Sequence, residues 1–208
     1  RFMDATIAAK RGFFKDLMII DEIHNLPEEV CDQLNTILDE GRLHLIGCTT
    51  NPGALPAPLR SRMRILHLDE YQSEDIAKIL ENSLNRKKVT YDTSAINSLA
   101  TRSRYNPRLA LQSLSFALEN MVIRGNSNLG GDIVEIALDK LGIDKEGLTS
   151  ADRAYISLLS PTKPTGLSQI KSILGTDIET IEGEIEPYLL RMGYVERTPR
   201  GRMAGTKN

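Results

Sequence analysis

Two carboxylates follow directly on a short apolar run: Leu17-Met18-Ile19-Ile20 ends at Asp21-Glu22. A run of this length reads as a buried strand, and its C-terminal end is the rim at which open α/β sheets bind ligands. An aspartate there can hold Mg²⁺ through water, and an adjacent glutamate can polarise a water for attack on a phosphoryl group. A solvated strand end accounts for the same pair about equally well. A second run, Leu43-His44-Leu45-Ile46-Gly47, closes on Cys48-Thr49-Thr50-Asn51. Its polar end would lie beside the first in a parallel sheet and could hydrogen-bond the same water or a γ-phosphate.

Arginines supply the opposite charge. Arg60 and Arg62 lie in Pro58-Leu59-Arg60-Ser61-Arg62, on a proline-rich connection. They solvate a turn, or one is a finger donated across a subunit interface to transition-state charge. Arg108 follows Asn106-Pro107 at a helix start, as a surface cation or a phosphate sensor. The last twelve residues hold Arg197, Arg200, Arg202 and Lys207 with no acid. These can reach phosphates without reading sequence, or form a solvated basic tail. Bulk charge gives nucleic acid no support, because 26 basic residues face 28 acidic ones.

The elements that must position these residues follow from periodicity. Pro27 starts a helix, Glu28 and Glu29 suit its positive end, and Gly41 caps its last turn. One helix joining two apolar runs is the βαβ pattern of a parallel sheet. Ile65-Leu66-His67-Leu68 is expected as a third strand. From Ser73 the pattern turns helical. Ser73-Glu74-Asp75 and Asp92-Thr93-Ser94 cap two helices, Asn106-Pro107 opens a third that runs to Gly125, and 132–141 is a fourth. Beyond 144–146, helices are expected near 150–159, 167–174 and 177–192. A hairpin then turns at Thr198-Pro199-Arg200-Gly201, which makes a winged helix. The predicted units are thus 1–70, 71–146 and 147–208: an α/β part, an all-α bundle and a winged helix.

Composition excludes other classes. With 40% hydrophobic residues over 208 positions the chain can bury more than one core. No apolar run nears the roughly 18 residues that cross a bilayer, and Arg1-Phe2-Met3-Asp4 has no signal-peptide character. The expected location is therefore the cytoplasm. Cys31 and Cys48 are too few for a disulfide framework or zinc cluster and read as buried thiols. A first residue other than methionine suggests a piece of a longer product.

Together these motifs resemble those of AAA+ ATPases. Leu17 to His24 resembles a Walker B segment, Ile46 to Thr50 a sensor 1, Pro58 to Arg62 an arginine-finger box and Asn106-Pro107-Arg108 a sensor 2. Within that superfamily the chain resembles the RuvB family of Holliday-junction branch-migration motors. The discriminating residues are Glu186-Pro187-Tyr188-Leu189-Leu190, Gly193-Tyr194-Val195 and Arg197-Thr198-Pro199-Arg200-Gly201-Arg202, with Glu146-Gly147-Leu148 and Asp152-Arg153 at the entry to the winged helix. The resemblance implies a partial AAA+ core, a helical lid and a winged helix, with ATP and Mg²⁺ as cofactors. It makes Asp21 the Mg²⁺-water ligand, Glu22 the residue that activates water, Thr50 sensor 1, Arg62 the trans finger with Arg60 as fallback, and Arg108 sensor 2. His24 reads as a helix-start residue. It further implies a homo-oligomeric ring that moves branched or duplex DNA in recombination and repair.

The sequence departs from the family pattern twice. No G-x-x-x-x-G-K-[ST] loop occurs, so these residues alone should not hydrolyse ATP, and the loop is expected upstream of Arg1. Between Pro27 and Glu40 one helix of about 20 Å fills the connection. That leaves no room for the β-hairpin with which RuvB proteins dock RuvA, so docking of that kind is not expected, and a phage-type or divergent relative fits. Two other readings stay open: a clamp-loader-like or helicase-loader switch, and a non-catalytic DNA-binding adaptor. The third helix of the winged helix carries Asp177, Glu179, Glu182, Glu184 and Glu186, which should repel phosphates and leave the hairpin as the DNA contact.

Overall fold

The computed structural model describes residues 16–207. The opening Arg1-Phe2-Met3-Asp4, and with it the start of the expected first unit, lies outside the described residues. Contacts divide the chain into two compact units, Arg1–Leu68 and Asp69–Asn208. None of the described helices is long and apolar enough to cross a membrane.

In the first unit, β1 (Asp16–Ile20) and β2 (Leu43–Gly47) pair in parallel, Ile20 opposite Gly47. Helix α1 (Glu28–Asp39) joins them, with Glu28 and Glu29 in its first turn, and a short helix α2 (Ala57–Ser61) follows β2. Gly41 takes φ 64° and its N–H caps the Leu38 carbonyl, a left-handed stop that glycine adopts without steric cost. Ile23, Cys31, Leu34, Leu43, Leu55 and Leu59 form the core on the α1 side of the sheet.

Three expectations for this unit are corrected. The residues Ile65 to Leu68 form no strand: they find no ladder partner among the described residues, and Leu66 and Leu68 are 73% and 94% exposed. The two strands are buried on one face only, with Leu17, Ile19 and Ile46 on the open face. Cys31 is buried, but Cys48 is exposed where the chain leaves β2.

The second unit begins with four helices, α3 (Ser73–Lys87), α4 (Thr93–Thr101), α5 (Pro107–Ile123) and α6 (Gly131–Lys140). Each turns one apolar stripe inward, and Ile76, Leu80, Ile96, Leu99, Leu114, Ile133 and Leu138 share one core. The Asn106 side chain caps α5 by accepting from the Arg108 and Leu109 N–H groups. A two-residue parallel pair, β3 (Thr90–Tyr91) with β4 (Asn128–Leu129), closes the bundle. Two residues are too few to carry a periodicity, so this pair is visible only in the fold.

The same unit continues into α7 (Ser150–Ser157), α8 (Leu167–Leu174) and a third helix, α9, over 178–191. Its middle, Ile181–Ile185, is a π-turn ahead of Pro187. Proline has no N–H to donate and its ring crowds the carbonyl four residues back, which accounts for the widened turn. Strands β5 (Val195–Thr198) and β6 (Gly201–Ala204) form the antiparallel hairpin, and Thr165 adds a bridge to Arg202. Tyr155, Ile170, Ile181, Leu189 and Val195 make its core.

The helical part and the winged helix are joined within this unit. Arg104 donates to the Asp152 carboxylate, which is 1% exposed, and to the Gly147 carbonyl. Arg191 stacks over the Tyr105 ring at 4.6 Å, donates to the Arg104 carbonyl at 2.9 Å and pairs with Glu70 at 2.7 Å. Arg104 and Tyr105 both hold positive φ, 56° and 59°, a left-handed pair of non-glycine residues maintained by these contacts.

Candidate functional site

Parallel pairing of β1 and β2 brings their C-terminal ends to one edge. The ladder runs past the strands: the Cys48 N–H donates to the Ile20 carbonyl at 2.8 Å and the Ile23 N–H to the Cys48 carbonyl at 3.0 Å. The segments carrying Asp21-Glu22 and Thr49-Thr50 are therefore fastened side by side. Asp21, Glu22 and Thr50 are exposed there. Glu22 takes φ 49° and its N–H donates to Asp21 Oδ1 at 3.1 Å.

One link here was not foreseen. His24 Nδ1 lies 2.8 Å from Thr49 Oγ1 and 3.2 Å from Glu22 Oε2. That nitrogen carries at most one proton, so it serves the hydroxyl or the carboxylate at any moment. Thr49 Oγ1 also accepts from the Asn51 N–H at 3.0 Å, whereas the Thr50 hydroxyl has no partner among the described residues. Sequence reasoning placed His24 at a helix start. It does lie in a short 3₁₀ turn, Ile23–Asn25, but its ring joins the two strand ends. A histidine two residues beyond the acid pair was the available signal.

The two arginines of the proline-rich connection differ. Arg62 clasps Asp39 through Nε and a terminal nitrogen, both at 2.7 Å, and donates to the Pro58 carbonyl at 2.8 Å. The Arg62 hydrogen bond holds the Asp39 carboxyl below its ordinary range. Arg60, two residues earlier, has among the described residues only a 3.5 Å contact with the Gly53 carbonyl. In the second unit, Arg108 is exposed at the start of α5 and its side chain has no partner among the described residues.

The hairpin arginines, grouped by sequence as phosphate contacts, are divided by structure. Glu186 is fully buried, and its carboxylate accepts from Tyr155 Oη at 2.6 Å, from Arg202 Nε at 2.7 Å and from Arg197 at 2.6 and 2.9 Å. Arg202 also reaches Glu182 at 2.7 Å, and its side chain is only 11% exposed. Burial pushes the Glu186 carboxyl up, but hydrogen bonds from Arg202, Tyr155 and Arg197 outweigh it and hold the group below its ordinary value. Burial and the Glu186 carboxylate push the Tyr155 phenol well up. Arg202 is thus not a free phosphate contact, and Arg197 is half engaged. Arg200, at the tip, is exposed, and among the described residues only its backbone is bonded, to Thr198.

The acidic helix is corrected in the same way. Asp177 caps α9 through the Thr180 N–H at 2.7 Å, and Glu182 and Glu186 hold arginines. Among the described residues only Glu179 and Glu184 of the five acids lack a side-chain partner, so repulsion from phosphates is weaker than the sequence suggested.

The family model described as the RuvB C-terminal winged helix domain matches residues 145–208. The Holliday junction branch migration complex subunit RuvB of Lacticaseibacillus casei is 34% identical over 212 residues, covering 90% of this chain and 63% of that protein. The protein of the same name from Campylobacter lari is 35% identical over 216 residues, covering 93% of this chain and 64% of that protein. The chain therefore spans a little under two thirds of the length of the curated relatives it matches. Among solved structures, the Thermotoga maritima RuvB Holliday junction branch migration motor aligns with a TM-score of 0.79 at 30% identity, covering 100% of this chain and 72% of that one.

Proposed function

The chain belongs to the RuvB family, and on that premise we propose that it is part of an ATP-driven DNA motor that moves Holliday junctions in recombination and repair. One observation carries the reading: the parallel ladder of β1 and β2 fastens Asp21-Glu22 beside Thr49-Thr50 at one exposed edge. The units we assign are 1–70 as the distal part of an AAA+ core, 71–146 as the lid and 147–208 as the DNA-binding winged helix. We assign the protein to the cytoplasm.

The residues present fit Mg²⁺ with ATP. Magnesium favours hard oxygens and is held through one or two carboxylates together with phosphates. Asp21 and Glu22 offer such oxygens at an exposed edge, and the described residues gather no larger cage of metal ligands. Bound Mg²⁺ would neutralise charge developing on the transferred phosphoryl group. Asp21 would hold a metal-bound water, and Glu22 would orient and deprotonate the attacking water. Thr50 would donate its hydroxyl toward the γ-phosphate, while Thr49 is held by His24 and Asn51. Arg62 would act on the neighbouring subunit, with Arg60 as its alternative, and Arg108 would sense phosphate. The phosphate-cradling loop has no counterpart in the 208 residues, so turnover requires a protein that supplies it.

On the DNA side, the hairpin would contact phosphates without reading bases, through Arg200 at its exposed tip, while Arg197 and Arg202 are engaged by Glu186. Contact of this kind suits a motor that must bind each step alike. The assembly we infer is a homo-oligomeric ring. Only residues 40–42 separate α1 from β2, so RuvA would not dock through a hairpin at that place. A loader-type switch remains the second reading, favoured by that short connection. Calorimetric titration of the complete protein with a slowly hydrolysed ATP analogue and Mg²⁺ tests the nucleotide site: saturable, Mg²⁺-dependent binding supports the reading, and its absence overturns it.

A further inference from the structure

We propose that Glu186 is the positioning residue of the winged-helix hairpin: it withdraws Arg197 and Arg202 from phosphate contact and fixes the hairpin so that Arg200, alone of the three, meets DNA. This deepens the reading of the hairpin as a DNA contact and rests on it.

A fully buried carboxylate is tolerated only when its charge is compensated and its lone pairs are filled. Glu186 meets both conditions with two guanidinium groups and one phenol, drawn from both hairpin strands and from α7. For Arg202 to turn to a phosphate it would strip the buried carboxylate of the more deeply buried of its two guanidinium partners. The restraint on Arg197 is similar, since both of its bonded nitrogens point at Glu186 Oε2.

The opposite side of β6 is fixed by backbone. Thr165 and Arg202 exchange two hydrogen bonds of 2.8 Å. Gly201 holds φ 143°, and a Cβ there would collide with the Thr165 carbonyl, so the strand approaches closer than any side chain allows. Thr198 Oγ1 donates to the Gly201 carbonyl at 3.0 Å and receives the Arg200 N–H at 3.3 Å, which closes the tip. The hairpin base is therefore clamped by Glu186 and Thr165, and the guanidinium of Arg200 is left outside both clamps.

The number of phosphate contacts can be counted from the salt dependence of binding, since each contact adds about 0.9 to the slope of log K against log salt on duplex DNA. The experiment is anisotropy of a labelled duplex titrated with the whole chain across about 50 to 200 mM salt. Arg200→Ala should flatten the slope by about one unit, and Arg197→Ala should leave it unchanged. Glu186→Gln, which keeps the side-chain shape but removes the charge, should steepen it by about one to two units as the two arginines are released. A merely structural role would flatten it instead. An unchanged or flattened slope in folded Glu186→Gln protein overturns the proposal. So does an equal flattening by Arg197→Ala and Arg200→Ala, a comparison that holds even when Glu186→Gln does not fold. If Arg200→Ala changes nothing while the chain still binds DNA, the hairpin reading itself fails.

Discussion

His24 Nδ1 lies 2.8 Å from Thr49 Oγ1 and ties the turn after β1, side chain to side chain, to the turn after β2. The same nitrogen lies 3.2 Å from Glu22 Oε2, so His24 is placed to set the direction of the proposed water-activating carboxylate. In the complete protein, His24→Ala should lower the proposed ATP turnover roughly ten- to hundredfold with little change in nucleotide affinity, as expected when a catalytic group is misplaced rather than removed. Steady-state hydrolysis alongside nucleotide titration checks this. Unchanged turnover would mean that the link is structural only.

The clasp of Arg62 on Asp39 bears on its proposed role as the trans finger. A finger must leave this carboxylate when the neighbouring subunit binds nucleotide. Arg62→Ala should abolish turnover in homogeneous assemblies, while mixing it with Glu22→Gln protein should restore a fraction, because mixed interfaces pair an intact Glu22 with an intact Arg62. If Arg60→Ala behaves this way and Arg62→Ala does not, the finger is Arg60 and Arg62 serves only to tether Asp39.

Arg104 and Asp152 carry the junction between helical bundle and winged helix. Asp152 is buried and Arg104 nearly so, and removing one partner of a buried pair leaves the other charge uncompensated. Arg104→Ala should therefore destabilise the second unit by about 3 kcal/mol, read as a lowered urea midpoint with an unchanged m-value. A loss below about 0.5 kcal/mol would show that Asp152 is satisfied by the Thr149 hydroxyl and N–H without the arginine.

The sequence was most informative where one residue type does one job. The acid pair after an apolar run, the asparagine cap before Arg108 and the Pro-Arg-Gly tip all lie where their local chemistry put them. It failed where a role depends on a distant partner. Glu186 sits in an acidic run and reads as one more repelling charge; only the folded π-turn and hairpin reveal it as the acceptor for Arg197 and Arg202. Ile65 to Leu68 has strand composition, but pairing is a property of a neighbour, and none of the described residues provides one. Cys48 reads as buried by residue type, yet it lies where β2 gives way to an exposed loop.

The Glu186 cluster also sets a pH range. Its folded carboxyl lies below the ordinary value, so it stabilises the native state above about pH 4.3 and that contribution is lost as pH falls through the folded value. Tyr155 is shifted up, so its contribution is complete below about pH 10 and is lost at higher pH. Thermal unfolding should show the native chain more stable than Glu186→Gln at neutral pH, with the gap closing in acid. A gap that persists unchanged at pH 3 would contradict the ionised assignment.

The most direct test of the motor reading is dissociation of a synthetic four-way junction by the complete protein. With Mg²⁺ and ATP, the junction should resolve into two duplexes at a rate that depends on protein and nucleotide. Glu22→Gln should bind ATP yet slow the reaction by about 10² or more. Junction dissociation that proceeds without ATP, or equally well with Glu22→Gln, would contradict the account.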